Sequence, residues 1–135
     1  EFDLISFNIG IPLEKNRVPN TPTAAIATAN SMYWEAWTEH IFFRFEGKFG
    51  PQKKAFLYHV TGDENLKTVI IDLKNNPLKV AVGARAKVVL KFHVDKVFSA
   101  LDKIDVNISN NHMSGPVVAR MANNYAKCFS LISVE

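Results

Sequence analysis

The chain has 135 residues, of which 47% are apolar and 21% are charged, so its size and composition fit one ordinary globular domain with a single core. The formal charge of +3 comes from scattered lysines rather than a basic arm, and we therefore expect no nucleic-acid partner. No apolar run reaches the roughly 20 residues of a membrane span, and the single cysteine, Cys128, excludes an internal disulfide and any CxxC site.

The predicted elements begin with a strand, because apolar and polar residues alternate over residues 1–9. Residues 10–30 follow, with three prolines and a run of small residues, and they are interpreted either as a packed functional excursion or as a mobile surface loop. Further strands are predicted at 41–46, 55–60, 66–73, 78–82 and 87–94, separated by turns rich in glycine, proline and asparagine, with a short helical turn at 95–101.

The last predicted element is a helix that starts at Gly115-Pro116, where proline suits the first turn. An apolar stripe at helical spacing marks the face that packs on the sheet, and we expect Cys128, which borders it, to be a buried and inert thiol. The stripe consists of Val118, Met121, Ala122, Tyr125 and Phe129. Together the elements predict a mainly β fold, an antiparallel β-sandwich-like domain with a C-terminal amphipathic helix, over residues 1–135.

Four histidines are the first candidates for chemistry. His93 shares a strand face with two lysines and is expected to be solvated, and His112 lies in a polar turn where a loop or capping role is expected. A hairpin between strands 41–46 and 55–60 would bring His59 towards Phe42, Arg44 or Glu46. His59 is then either a core or edge histidine or a metal ligand. His40 and Met32 offer nitrogen and thioether donors that suit copper.

No catalytic motif accompanies these residues. The sequence has no GxSxG, P-loop or GxGxxG pattern, and its cysteine borders an apolar stripe, so we expect a protein that is not an enzyme. Both tryptophans, Trp34 and Trp37, lie in one aromatic segment. They are open to three interpretations: core residues, a stacking surface for a small molecule or glycan, or redox-active side chains beside a metal.

Four segments of the chain carry a family resemblance: residues 5–12 followed by Asn16, Met32-Tyr33-Trp34 leading to 42–47, residues 56–62, and residues 119–129. They resemble the MbnP-like copper-binding domain, a family of periplasmic or surface proteins found beside MauG-type di-haem peroxidases. The resemblance implies a periplasmic, cell-surface or secreted β-sandwich-like domain that binds copper through histidine. It also implies a di-haem peroxidase as partner, which in some members oxidises a tryptophan to kynurenine.

Carried over residue by residue, the resemblance makes His59 the metal-ligand candidate and Trp34 the residue at the family's tryptophan position. Trp37 stands one place later than the family's second tryptophan, and Glu39-His40 replaces its usual Gly-Tyr. His40 is then either an additional metal donor or a tyrosine replacement that packs in the same way.

The resemblance also predicts that residues 1–135 are the C-terminal portion of such a domain. An N-terminal fragment or another chain is then expected to complete the sheet. The alternative function is a metal-free structural or assembly module that keeps the sandwich and pairs with another chain through its sheet edge.

Overall fold

Strands form most of the regular structure in this computed structural model, which describes residues 1–16, 30–34 and 39–135. The strands are β1 (Leu4–Ile9), β2 (Tyr33–Trp34), β3 (Glu39–His40), β4 (Phe43–Phe49), β5 (Lys54–Val60), β6 (Lys67–Asp72), β7 (Val88–Phe92), β8 (Asn111–His112) and β9 (Phe129–Val134). The helices are α1 (Leu13–Asn16) and α2 (Pro116–Tyr125), and 3₁₀ turns occur at Asp63–Asn65 and Val94–Phe98.

Pairing between the strands is antiparallel except at one short ladder. β1 pairs with β6, β2 with β3, β4 with β5, and β7 with β9, whereas β8 runs parallel to β5. Within the described ranges these pairs form open sheets and no closed barrel. The prediction of a mainly β, antiparallel, sandwich-like fold with a helix near its C-terminal end is therefore confirmed.

One core lies between the β1–β6 ladder and the β7–β9 ladder. Val69, Ile71 and Leu73 are buried there and pack against apolar residues of β1, β7 and β9. The rings of Phe7 and Phe129 meet edge to face, with centroids 5.2 Å apart. These contacts hold β1 and β9 together by burial of apolar surface rather than by shared hydrogen bonds.

A second core lies between the β4–β5 hairpin and α2. Tyr58 and Val60 of β5 are fully buried against Met121 and Tyr125 of the helix. The Tyr125 hydroxyl donates a hydrogen bond of 2.6 Å to the carbonyl oxygen of Asn65, which ties the helix to the first 3₁₀ turn. The amphipathic helix predicted from Gly115-Pro116 onward is confirmed.

The predicted strand at 78–82 and the predicted extent of the C-terminal helix are wrong. Within 78–82 only Leu78 is paired, in a single bridge to Phe2, and residues 79–87 are exposed, because no described strand offers a ladder to this run. The predicted helix ends at Tyr125, and Phe129 starts β9 opposite Phe92. The Phe129 ring lies 5.0 Å from that of Phe92, so the packing between strands outweighs a residue spacing that also fits a helix.

Three further observations complete the comparison with the predicted elements. The interpretation of the long 10–30 region falls mostly on residues 17–29, which lie outside the described residues. The predicted helical turn at 95–101 corresponds to the 3₁₀ turn Val94–Phe98. In the described parts of the chain, no helix has the length and apolar character needed to cross a membrane.

Candidate metal centre

His59 lies on the outward face of β5, because its neighbours Tyr58 and Val60 point into the core. Its Cα pairs with that of Arg44 in β4. The residue is nevertheless only 8% exposed, since the indole of Trp34 covers it edge to face with ring centroids 5.5 Å apart. The hairpin predicted from the sequence therefore does place His59 beside the outward residues of β4.

Glu46 is the hydrogen-bond partner of this histidine, with 2.5 Å between His59 Nε2 and Glu46 Oε1. Arg44 also binds the carboxylate, donating from Nε to Oε1 at 2.7 Å and from Nη2 to Oε2 at 2.9 Å. The hydrogen bonds from Arg44 and then from His59 lower the pKa of Glu46 from 4.5 to about 2. The carboxylate is thus ionised at neutral pH and can only accept, so Nε2 of His59 carries the hydrogen.

The other ring nitrogen of His59 has a different environment. Nδ1 is buried and has no hydrogen-bond partner among the described residues. When Nε2 carries the hydrogen of a neutral imidazole, Nδ1 holds the lone pair. His59 therefore has, beside an indole, a buried ring nitrogen that no other described residue binds.

His40 shows the same feature through different contacts. It is 1% exposed, and its Nδ1 lies 2.7 Å from the carbonyl oxygen of Asn16, an atom that can only accept, so Nδ1 donates. Nε2 is buried without a partner in the described part of the chain. The Asn16 side chain fixes the pair further, since its Oδ1 accepts from the His40 backbone N–H at 2.9 Å and its Nδ2 donates to Asp63 at 2.7 Å.

The two residues of β2 place an aromatic ring against each of these histidines. Tyr33 pairs with His40 in the ladder, with ring centroids 4.8 Å apart, and the next residue, Trp34, contacts His59. Met32 precedes this hairpin, is half-buried, and accepts a hydrogen bond from the Ile41 backbone N–H through its carbonyl oxygen. Trp37 lies outside the described residues.

A family model described as MbnP matches residues 1–118 of the chain. The chain belongs to the MbnP family. Comparisons with curated proteins and with solved structures give no significant match. Membership of the MbnP family associates the domain with copper. The match confirms the resemblance at the level of the family and spans three of the four sequence segments, since residues 119–129 lie beyond it.

The other two histidines of this MbnP-family domain have their rings engaged elsewhere. His93 Nε2 lies 2.8 Å from Ser130 Oγ, and His112 stacks on the Tyr58 ring at a centroid distance of 6.3 Å. Unlike His40 and His59, neither has a buried ring nitrogen that lacks a hydrogen-bond partner among the described residues. No group of three or more His, Cys, Asp or Glu side chains in the described ranges is arranged to hold a metal ion.

The donor atoms present in this MbnP-family domain fit copper. Imidazole nitrogen is a ligand for copper, and metal-bound histidines almost always donate their other ring N–H to a carboxylate or a backbone carbonyl. His59 has the carboxylate of Glu46 in this role, and His40 has the carbonyl of Asn16. The residues therefore suit a metal that binds through His59 Nδ1 or His40 Nε2.

Sequence reasoning did not assign Glu46 and Asn16 to the site. The signal for Glu46 was available, because a hairpin register places it within reach of His59 on the outward face of β4. Asn16 gave no comparable signal. Its contact with His40 spans 24 residues and depends on how α1 returns to the sheet, which no local pattern specifies.

Proposed function

We propose that this chain is an extracytoplasmic copper-binding protein, periplasmic, cell-surface or secreted, in which His59 binds the metal through Nδ1 beside Trp34. The observation that carries the proposal is the buried Nδ1 lone pair, whose ring is held at Nε2 by Glu46. A buried polar atom without a partner costs roughly 1–3 kcal/mol. A metal ion that accepts the lone pair would remove this cost.

His40 is the second donor in the proposal. Its Nδ1–H is held by the Asn16 carbonyl oxygen, which leaves Nε2 as a buried lone pair. Met32, half-buried before β2, adds a thioether as a further donor of the kind that copper accepts. Family membership favours copper over the other metals that bind imidazole.

The indole of Trp34 has a defined place in this proposal, since it lies against the imidazole of His59. Bound copper would supply a one-electron redox centre next to this aromatic ring. We further propose that a di-haem peroxidase partner oxidises Trp34 or Trp37 to kynurenine with hydrogen peroxide as the oxidant. Oxygen enters across the C2–C3 bond of the indole, which is cleaved, and hydrolysis releases C2 as formate, while the chain itself binds metal without acting as an enzyme. Intact-mass and peptide mass spectra of protein isolated together with the peroxidase test this step, and two unmodified tryptophans would contradict it.

Copper binding is tested by equilibrium dialysis followed by metal analysis of the purified protein. We expect His59→Ala to lose copper affinity by more than the roughly 10- to 100-fold that removal of an outer-shell partner costs. His93→Ala is the matched control, because it removes an imidazole whose Nε2 is occupied by Ser130. Wild-type copper content in His59→Ala would contradict the assignment.

The same assay identifies the second donor. We expect His40→Ala to weaken copper binding as well, with circular dichroism used to verify that the fold survives removal of a side chain that is 1% exposed. A folded His40→Ala protein with wild-type affinity would exclude His40 as a ligand and leave His59 as the assigned residue.

The second candidate function is a metal-free assembly module. Within the described residues β1 is hydrogen-bonded to β6 alone, so its other edge offers unpaired backbone groups to a strand of an N-terminal fragment or of another chain. This candidate predicts association in analytical ultracentrifugation with no bound copper. Copper binding by a monomer would contradict it.

A further inference from the structure

Arg44, Glu46 and His59 form a hydrogen-bonded chain on the outward face of the β4–β5 hairpin. Both oxygens of the Glu46 carboxylate are engaged, Oε2 by Arg44 Nη2 at 2.9 Å and Oε1 by Arg44 Nε at 2.7 Å. Oε1 is also the atom that accepts from His59 Nε2 at 2.5 Å. The planar guanidinium contacts the carboxylate at two points and so fixes its orientation towards the histidine.

The backbone places these three side chains without help from a loop. Arg44 and Glu46 are two residues apart in β4 and therefore project from the same face, and Arg44 is the register partner of His59 in β5. Groups carried by paired strands hold their relative positions better than groups carried by loops. The chain of hydrogen bonds is thus built into a rigid part of the fold.

We propose that Arg44 and Glu46 are positioning residues that select Nδ1, rather than Nε2, as the metal-binding atom of His59. The inference deepens the proposed copper-binding function and depends on it. A neutral imidazole carries one N–H, and a carboxylate at Nε2 keeps the hydrogen there and the lone pair on Nδ1. Glu46 determines which nitrogen is free, and Arg44 holds Glu46 in the orientation that does so.

The bond to Glu46 disfavours the alternative ring orientation. A half-turn about the Cβ–Cγ bond would put Cε1 in the place of Nε2 and Cδ2 in the place of Nδ1, so the ring would lose its hydrogen bond to Glu46 and the direction of its Nδ1 lone pair would change. Because Nδ1 is adjacent to the carbon that bears the side-chain stem, binding at Nδ1 holds a metal closer to β5 than binding at Nε2 would. The choice of nitrogen thus determines where the metal lies relative to Trp34.

The tautomer of His59 can be measured without copper, by long-range nitrogen–proton NMR spectra of the metal-free protein. We expect a single Nε2–H tautomer in the wild type, a mixture of tautomers in Glu46→Ala, and recovery in Glu46→Gln, whose amide oxygen still accepts the N–H. Glu135→Ala is the control, since it removes the carboxylate of an exposed pair with Lys87. An unchanged Nε2–H tautomer in Glu46→Ala would overturn the inference.

Copper affinity supplies the second part of the test. We expect a loss of about 10- to 100-fold in Glu46→Ala and in Arg44→Ala, a smaller loss in Glu46→Gln, and none in Glu135→Ala. If the wild type binds copper through His59 and Glu46→Ala binds it equally well, the positioning role is overturned while the proposed function stands. If the wild type binds no copper, the proposed function itself is overturned, and the role of the pair in metal binding with it.

Discussion

The two buried histidines differ in what fixes their rings. His59 is held by a carboxylate from the neighbouring strand, so one substitution, at Glu46, removes its anchor. His40 is held by the backbone carbonyl of Asn16, which no side-chain substitution deletes. The proposed control of the tautomer can therefore be tested at His59 by mutation of a single neighbouring side chain.

Acid titration should show the contribution of Glu46 to stability. Its pKa is about 2 in the folded protein against an ordinary value of 4.5, so the stabilisation is fully present above about pH 5 and is lost as pH falls towards about 2. We expect the advantage of wild type over Glu46→Gln in unfolding free energy to shrink across that window. Chemical denaturation at a series of pH values measures it, and parallel curves for the two proteins would contradict the prediction.

The neighbours of a single side chain were predictable only where both residues lie in strands joined by a short turn. The alternation in 41–46 and 55–60 was enough to expect His59 near Phe42, Arg44 or Glu46, and the register pairs it with Arg44. Which of them binds the imidazole depends on side-chain rotamers and on the bidentate Arg44 contact, which alternation does not encode. The placement of Trp37 remains a prediction, since it lies outside the described residues.

The turn that follows β1 depends on a glycine, because it passes close to the ring of Phe42. Gly10 follows β1 with φ of +110°, and a Cβ added there would lie 2.6 Å from Phe42 Cδ2. Phe42 is 7% exposed, and its backbone N–H donates to the Val60 carbonyl oxygen just before β4 begins. The close approach of backbone and ring leaves no space for a side chain at position 10.

We expect Gly10→Ala to destabilise the protein by roughly 1–3 kcal/mol more than Gly83→Ala, because overpacking against Phe42 adds to the backbone strain. Gly83 has a similar positive φ of +77°, but nothing lies within 4 Å of its added Cβ. Denaturant unfolding of both variants measures the difference. Equal losses would show that Phe42 moves aside at no cost.

Element boundaries were less predictable than element types. The run 78–82 has strand-forming residues, yet β-propensity expresses itself only where a partner strand and a buried face exist. Phe129 fits the helical stripe of α2 by spacing, but its ring packs against Phe7 and Phe92 in the sheet. Both errors arise because contacts distant in sequence decide where an element stops.

At the scale of the whole molecule, Cys128 lies in the chain between α2, which packs in one apolar core, and β9, which packs in the other. Cys128 is fully buried, and burial raises the pKa of its thiol to about 11. The thiolate is the reactive form, so both access and ionisation protect the native residue. The expectation of a buried cysteine is confirmed, and its inertness can be tested directly.

We expect Cys128 to react with a thiol reagent at neutral pH only as fast as the protein unfolds. Labelling should become complete in denaturant, which serves as the control for reagent access. The rate in native buffer, followed by absorbance or mass spectrometry, should fall when the fold is stabilised. Rapid stoichiometric labelling of the native protein would show that the core around α2 is open to solvent.

The overall architecture was predictable because strand alternation, turn residues and the period of α2 all point to the same fold class. The arrangement of the ladders was not, since pairing of β1 with β6 joins segments about 60 residues apart. Loop closure over such distances leaves no local pattern in the sequence. The candidate metal centre shares this limitation, because its residues come from α1, the β2–β3 hairpin and the β4–β5 hairpin.

Anomalous diffraction at the copper absorption edge, from crystals of the copper-loaded protein, tests the central claim most directly. The account predicts an anomalous peak roughly 2 Å from Nδ1 of His59, the usual length of a bond between a metal and imidazole nitrogen, with Nε2 still bonded to Glu46. A peak on Nε2, or copper bound only at surface residues away from His59 and His40, would contradict it.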